Sequence, residues 1–418
     1  MARAPATAGG WWQRLQRGDR RLEAALLGGI TALALALRAG YVVAAGPRPL
    51  PYNSDPYYFQ MIAEHLLQGR GFVEVNGLAY RPPGFPGLLA GLYAVLGVHL
   101  QAARLLLAGI GALHCALQWA WVRRLASPAV ALLAALFTAL DPQLVRYPQL
   151  LYSEVLYLAL QAGALWLFLA ALDERSLARA ALAGLCAGLA ALTREIGLVI
   201  PLAFALWAWR ARLAPPTGRL CLAAGVATLL VIAPWTARNA RVLGAFVPIT
   251  TNTGINFYMG NNPRANGDFR WAVAEGVEWN HGGGELAAHR EGLRQGWRYI
   301  REHPGRTVAL WAVKFWILWR PPFYGFGGLS GVETLVRATW LLSYLALLAL
   351  TVCGWRDTRA LGPRARLPLW LIALPTLGHL LTYAGTRYRI PLTTLLVFYA
   401  AVGARRLLAR VGGRKGVP

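Results

Sequence analysis

Charge is scarce in this 418-residue chain, and lysine is scarcer still. Charged residues make up 14% of it, against about 25% in a soluble domain. Lys occurs only at positions 314 and 415. That composition excludes an ordinary water-soluble protein, which at this length would divide into two or three domains. Cysteine is equally sparse. Cys115, Cys186, Cys221 and Cys353 all lie in or at the ends of apolar segments, and none forms a Cys-x-x-Cys pair or has a His at ligand spacing. A disulfide framework and a zinc site are thereby excluded, and the four read as small apolar packing residues. There is no internal repeat of fixed period and no low-complexity segment.

What is present in quantity is apolar surface. Hydrophobic residues reach 56% and mean hydropathy is +0.42. Apolar stretches recur from Leu22 to Leu408, many approaching the roughly 20 residues that cross a bilayer as a helix. The fold class is therefore an all-α polytopic membrane protein, one body over 1–418. The net charge of +24 is almost wholly Arg. These arginines sit in short loops beside apolar segments, as membrane topology requires, which argues against nucleic-acid binding.

The same arginines set a topology. Basic residues collect on the cytoplasmic side, so the arm with Arg14, Arg17, Arg20 and Arg21 stays inside. The apolar run continuing past Arg38, itself near a helix end, marks an uncleaved first helix rather than a signal peptide. Further inside loops fall at Arg123/Arg124, Arg175/Arg179, Arg210/Arg212/Arg219, Arg356 to Arg366, and the tail from Arg405 to Lys415. About ten crossings are expected: 23–45, 102–121, 127–140, 150–172, 178–193, 196–210, 219–235, 333–354, 368–385 and 389–407, with both termini inside. Segments 84–98 and 306–320 would break the parity if they crossed, so they are expected to lie in the outer interface. Outside then lie the first loop 46–101, the turn 141–149, the turn Thr193-Arg194-Glu195, a large loop 236–332 and the short turn 386–389. The expected location is the bacterial inner membrane, with the working face on the periplasmic or extracellular side.

Chemistry-bearing residues cluster on that outer face. Asp55, followed by Pro56, opens an amphipathic surface helix that stops at Gly69 or Gly71. By itself an Asp there reads as an N-cap. It is followed by Gly69-Arg70-Gly71-Phe72 and by Arg81-Pro82-Pro83-Gly84-Phe85-Pro86. Other outer arginines are Arg194, Arg387 and Arg389, which snorkelling to lipid headgroups could equally explain. Arg387-Tyr388-Arg389 is the exception, because a short outer turn has no topological reason to be basic. Tyr152-Ser153-Glu154 opens a helix, where Glu154 reads as a dipole partner, a cation partner, an acceptor-orienting group or a metal ligand. Asn252, Asn256, Asn261 and Asn262 suit sugar hydroxyls or turns alike. His281, His289 and His303 are too scattered for a metal triad.

This ordered set resembles the GT-C membrane glycosyltransferases, and among them bacterial relatives of the protein O-mannosyltransferases and of the lipid A aminoarabinose transferase. The resemblance spans residues 20–405 and departs in one respect: the chain ends soon after its last helix, without the soluble C-terminal domain several members carry. It implies transfer of a sugar from a polyprenyl-phosphate donor to a glycan, lipid or protein acceptor. The residues suit that reaction. Its leaving group is already good, so no paired general acid is needed. It needs one base for the acceptor hydroxyl and cations for the phosphate. Asp55 is the expected base. Arg81, Arg194, Arg387 and Arg389, with Glu154, Tyr388, Asn256 and Asn261, are the expected substrate contacts. No cofactor is required, and a divalent cation at the outer acidic residues is left open. The rival class is a transporter or flippase of lipid-linked sugars, which would show repeats and broken helices about a midplane site.

Overall fold

In the computed structural model the described residues are 14–15, 18–212, 215–269, 284–321 and 331–411. Arg17, His281 and Lys415, named above, lie outside them. The described residues form helices: α1 Arg20–Ala45, α2 Asp55–Leu67, α3 Gly84–Leu96, α4 Leu100–Val122, α5 Pro128–Leu140, α6 Pro142–Leu150, α7 Glu154–Glu174, α8 Leu177–Thr193, α9 Val199–Arg210, α10 Pro215–Leu243, α11 Asn252–Gly260, α12 Gly284–Glu302, α13 Pro304–Trp319, α14 Gly331–Thr358, α15 Leu367–Leu381 and α16 Ile390–Val411. The fold class is as the composition requires. Six of these helices are long and apolar enough to cross a membrane, and up to seven if the bent pair α5–α6 counts as one span. Three further expected crossings, α8, α9 and α15, are helices of 17, 12 and 15 residues.

The core is a bundle in which α7 is central. Phe168 stacks on Phe204 at 3.9 Å between ring centroids, and Tyr157, Leu165 and Phe168 are fully buried. Small residues let backbones touch, as in other membrane bundles. A Cβ on Gly184 of α8 would come within 2.1 Å of the Ala224 carbonyl of α10, and one on Gly403 of α16 within 2.1 Å of the Leu350 carbonyl of α14.

Contacts sort the helix ends into two sets. At one end Arg124 and Arg364 share Asp173, and Trp207 donates to the Pro363 carbonyl. At the other end lie the Asp55 loop, the starts of α7 and α16, and the ends of α8 and α15. Segment 84–96 stays at this second end. Gly84 abuts the Leu192 carbonyl, and directly after the segment Gln101 and Arg104 reach back to the Val42 and Arg48 carbonyls.

Several expected boundaries are corrected. The turn expected over 141–149 is a helix, because Asp141 caps it at the Gln143 and Leu144 amides and Pro142 supplies its first turn. It leaves α5 at a 49° bend. The crossing expected from 150 begins at Glu154, after Leu151 takes a left-handed conformation. Of the stretch 236–332, residues 270–283 and 322–330 lie outside the described residues, and the rest is largely helical: α10 continues through Pro234 to Leu243, and α11 to α13 follow. Arg38 lies well inside α1. It is buried there because its guanidinium caps the end of α5, donating to the Thr138 and Ala139 carbonyls at 2.9 and 3.1 Å.

Candidate active site

The second end of the bundle gathers three carboxylates and three arginines from five places in the sequence. Helix α2 brings Asp55. Ser54, not Asp55, is its N-cap, accepting from the Tyr57 amide, so the Asp55 carboxylate is not consumed in capping. Its Oδ2 accepts from Arg387 Nη1 at 2.9 Å, and its Oδ1 from Arg81 Nη2 at 3.3 Å. Asp55 stays 39% exposed, open enough to meet a substrate. Burial works to raise its pKa, but Arg387 and then Arg81 outweigh burial and hold it below the usual carboxylate range.

Arg387 is the hinge of the cluster. Its fork grips Glu154 through Nε and Nη2, the latter at 3.0 Å, while Nη1 holds Asp55. Its guanidinium lies 3.8 Å over the Tyr152 ring. Burial would lower its pKa, but Glu154 and Asp55 prevail and keep it fully charged. Arg194, in the extended link between α8 and the turn 195–198, reaches Glu154 Oε1 at 3.0 Å and Ser153 Oγ at 3.3 Å. Glu154 is 1% exposed at the start of α7, so its two cation partners offset the cost of burying it.

Arg81 closes the other side. It bridges Asp55 to Glu74, a carboxylate of the first loop that spacing alone does not pick out. The Arg81 guanidinium sits 4.2 Å over the Tyr58 ring. Glu74 is fully buried. Burial pushes its carboxyl up to about 7, ahead of the opposing pull of Arg81. Tyr388 forms an aromatic wall. It stacks on His379 at 4.9 Å, shares a 2.8 Å hydroxyl contact with Tyr383, and lies 5.8 Å beneath Arg194.

Thus Asp55, Arg81, Glu154, Arg194, Arg387 and Tyr388 converge, from places as far apart as 55 and 388. Arg389 does not join them. Its Nη1 donates to the Arg320 carbonyl, and its guanidinium lies 4.0 Å over Tyr344. Asn261 is buried, with Nδ2 committed to the Phe257 and Leu381 carbonyls and Oδ1 facing Lys314 at 3.4 Å. It ties α11 to the end of α15. Asn256 is half-buried on α11. Among the described residues no three His, Cys, Asp or Glu side chains form a metal cage. Between Asp55 and Glu154 the space is bridged by the Arg387 guanidinium.

The described residues form an all-α bundle with a polar cluster at one end, and the fold of this chain is that of the GT-C membrane proteins. Residues 80–237 match the family model described as dolichyl-phosphate-mannose-protein mannosyltransferase. The chain is similar in structure to the archaeal oligosaccharyltransferase AglB from Archaeoglobus fulgidus, in complex with an inhibitory peptide and a dolichol-phosphate, at 15% identity and TM-score 0.57, over 96% of this chain and 53% of that one. An Archaeoglobus fulgidus oligosaccharyltransferase in complex with Zn and sulfate gives 13% identity and TM-score 0.57, over 93% and 50%. ArnT from Cupriavidus metallidurans bound to undecaprenyl phosphate aligns at 16% identity over 95% and 80%, with a TM-score of 0.40 that carries no weight. The chain thus spans about half the length of the oligosaccharyltransferase structures it matches. No curated protein matches its sequence.

Proposed function

We propose that the protein is a glycosyltransferase that moves a sugar from a polyprenyl-phosphate donor to an acceptor hydroxyl on the outer face of the membrane. The observation that carries this reading is Arg387 held between Asp55 and Glu154, with Arg81 and Arg194 flanking. A single open carboxylate surrounded by guanidiniums provides both things such a reaction needs. The family match over 80–237 and the neighbour bound to a dolichol-phosphate support the same substrate class.

In this mechanism the acceptor hydroxyl attacks the anomeric carbon, and the bond from that carbon to the phosphate oxygen breaks. The electron pair stays on the phosphate, and the hydroxyl proton passes to Asp55. A single displacement inverts the anomeric centre. Negative charge on the phosphate grows as the bond breaks, and Arg387 and Arg194 are placed to meet it with bidentate hydrogen bonds. Asp55 is a weak base while Arg387 and Arg81 hold it. A donor phosphate that draws off either arginine raises the basicity of Asp55, so binding the donor prepares the base. Arginine groups perform the charge stabilisation in this reading.

The test is transfer from radiolabelled polyprenyl-phosphate sugars by purified protein in detergent. Transfer to an added hydroxyl acceptor, lost in Asp55→Asn, supports the reading. Movement of intact lipid-linked sugar between leaflets of a proteoliposome, with no transfer, establishes the flippase instead.

A further inference from the structure

A buried carboxylate far from the cluster in sequence has no part in the reaction above, yet it grips the loop that delivers Arg81. Glu285, in the first turn of α12, is 8% exposed. Its Oε1 accepts from the Leu78 amide at 2.6 Å, and its Oε2 from the Ala79 amide at 3.1 Å and from Thr251 Oγ1 at 2.7 Å. The fit is tight. Gly77 has a positive φ of 145°, and a Cβ there would lie 2.4 Å from the Glu285 carboxyl.

The loop is held by other contacts too, among them His65 on the Val73 carbonyl, Phe72 against Trp235, and Tyr80 packed with Ile255, Met259, Ala288 and Tyr383. It contains only an isolated bridge between Glu74 and Gly77. Besides Glu285, the Thr251 amide donates to the Ala79 carbonyl at 2.9 Å, and Arg238 donates to the Leu78 and Phe72 carbonyls at 2.6 and 3.1 Å. Two residues beyond Ala79 the chain reaches Arg81, which meets Asp55 at 3.3 Å. The position of the 78–79 backbone therefore sets where the Arg81 side chain starts.

We infer that Glu285 is a positioning residue: by binding the 78–79 amides it fixes where Arg81 presents its guanidinium to Asp55 and to a donor phosphate. The inference rests on the reading of the cluster as a sugar-phosphate site. The carboxylate acts as a hydrogen-bond acceptor, so a glutamine should largely replace it. A carboxamide oxygen in the Oε1 position takes both amide protons, since the Ala79 amide also lies 3.3 Å from Oε1, and Thr251 can turn its hydroxyl to accept from the NH2 in the Oε2 position. Alanine removes the clamp and leaves two buried amides without a partner.

Two measurements on the full chain in detergent test this. Amide hydrogen exchange at 78–79 should speed up in Glu285→Ala, stay near wild type in Glu285→Gln, and be unaffected by Glu291→Ala on the same helix. Affinity for farnesyl phosphate should fall about tenfold in Glu285→Ala, the scale of lost charge-assisted hydrogen bonds. The same change made in Arg81→Ala should then cost less than about twofold, since the two act as one unit. A tenfold loss that persists without Arg81, or a Gln variant as impaired as Ala, overturns the inference. Should the wild type bind no farnesyl phosphate, the sugar-phosphate reading is what fails, and the exchange data still decide whether Glu285 holds the loop. Gly77→Val, which drives a side chain into the carboxyl, gives an independent break in the same clamp and should match Glu285→Ala in exchange.

Discussion

At the scale of single residues, position in the sequence indicated the cluster better than chemistry did. Asp55, Glu154, Arg194 and Arg387 could be grouped because all four fall at helix ends on one predicted face. Glu74 and Glu285 could not, since their partnerships cross loops whose path no periodicity encodes. Asp55→Asn should leave the protein folded and in the membrane while transfer falls by about 10²–10⁴, the usual worth of a general base. Turnover close to wild type in that variant would remove Asp55 from the mechanism. Arg387 and Arg389 look equivalent two residues apart, but the turn before α16 sends their side chains in different directions. Arg387 meets two carboxylates, whereas Arg389 grips the Arg320 carbonyl. Arg387→Ala should therefore weaken donor binding and slow transfer, with only partial rescue by Lys, which lacks the bidentate fork. Arg389→Ala should instead lower thermal stability, with donor affinity changed less than in Arg387→Ala. Kd for a lipid phosphate alongside Tm for the four Ala and Lys variants separates the two roles.

At the scale of elements, long apolar helices were legible and their interruptions were not. Asp141-Pro142 is a helix-start signal, yet inside a continuous apolar run it reads as an outer turn. Arg38 of the neighbouring helix α1 caps the end of α5, and Asp141 with Pro142 then starts α6 beyond the bend. Likewise glycines inside apolar runs do not announce which of them touch another backbone. Gly403 does, against Leu350, so Gly403→Val should destabilise the α14–α16 contact by roughly 1–3 kcal/mol or more, the cost of overpacking. Gly40→Val is the control, since a Cβ there meets nothing within 4 Å. Thermal unfolding in detergent should show a lower midpoint for the first and little change for the second. Equal midpoints would mean the two helices separate readily to admit a side chain.

At the scale of the whole molecule, Arg124 and Arg364, expected in loops on one side, meet at Asp173, at the opposite end of α7 from Glu154. Which end faces the cytoplasm is testable directly. Reporter fusions after Arg124, Arg179 and Arg366 should all report cytoplasm, and a fusion after Gly77 the outside. An outside signal after Arg124 would reverse the bundle and place the cluster on the inner face.

The pairing of three guanidiniums with Asp55, Glu74 and Glu154 has a consequence for proton binding. With all six groups ionised the cluster carries no net charge. A sugar phosphodiester brings one negative charge into it, and a neutral pocket of low dielectric resists that addition unless a positive charge enters too. Glu74, with its carboxyl pushed up to about 7 and Asp55 and Glu285 as its like-charged neighbours, is the group best placed to take up a proton. Donor binding above pH 7 should then draw a proton from solution, so affinity should rise as pH falls from about 8 toward 6, by at most tenfold per unit. Calorimetry of binding of a farnesyl-phosphate sugar, a diester with no proton of its own to exchange in this range, in buffers of different ionisation enthalpy reads that uptake directly, and Glu74→Gln should abolish it.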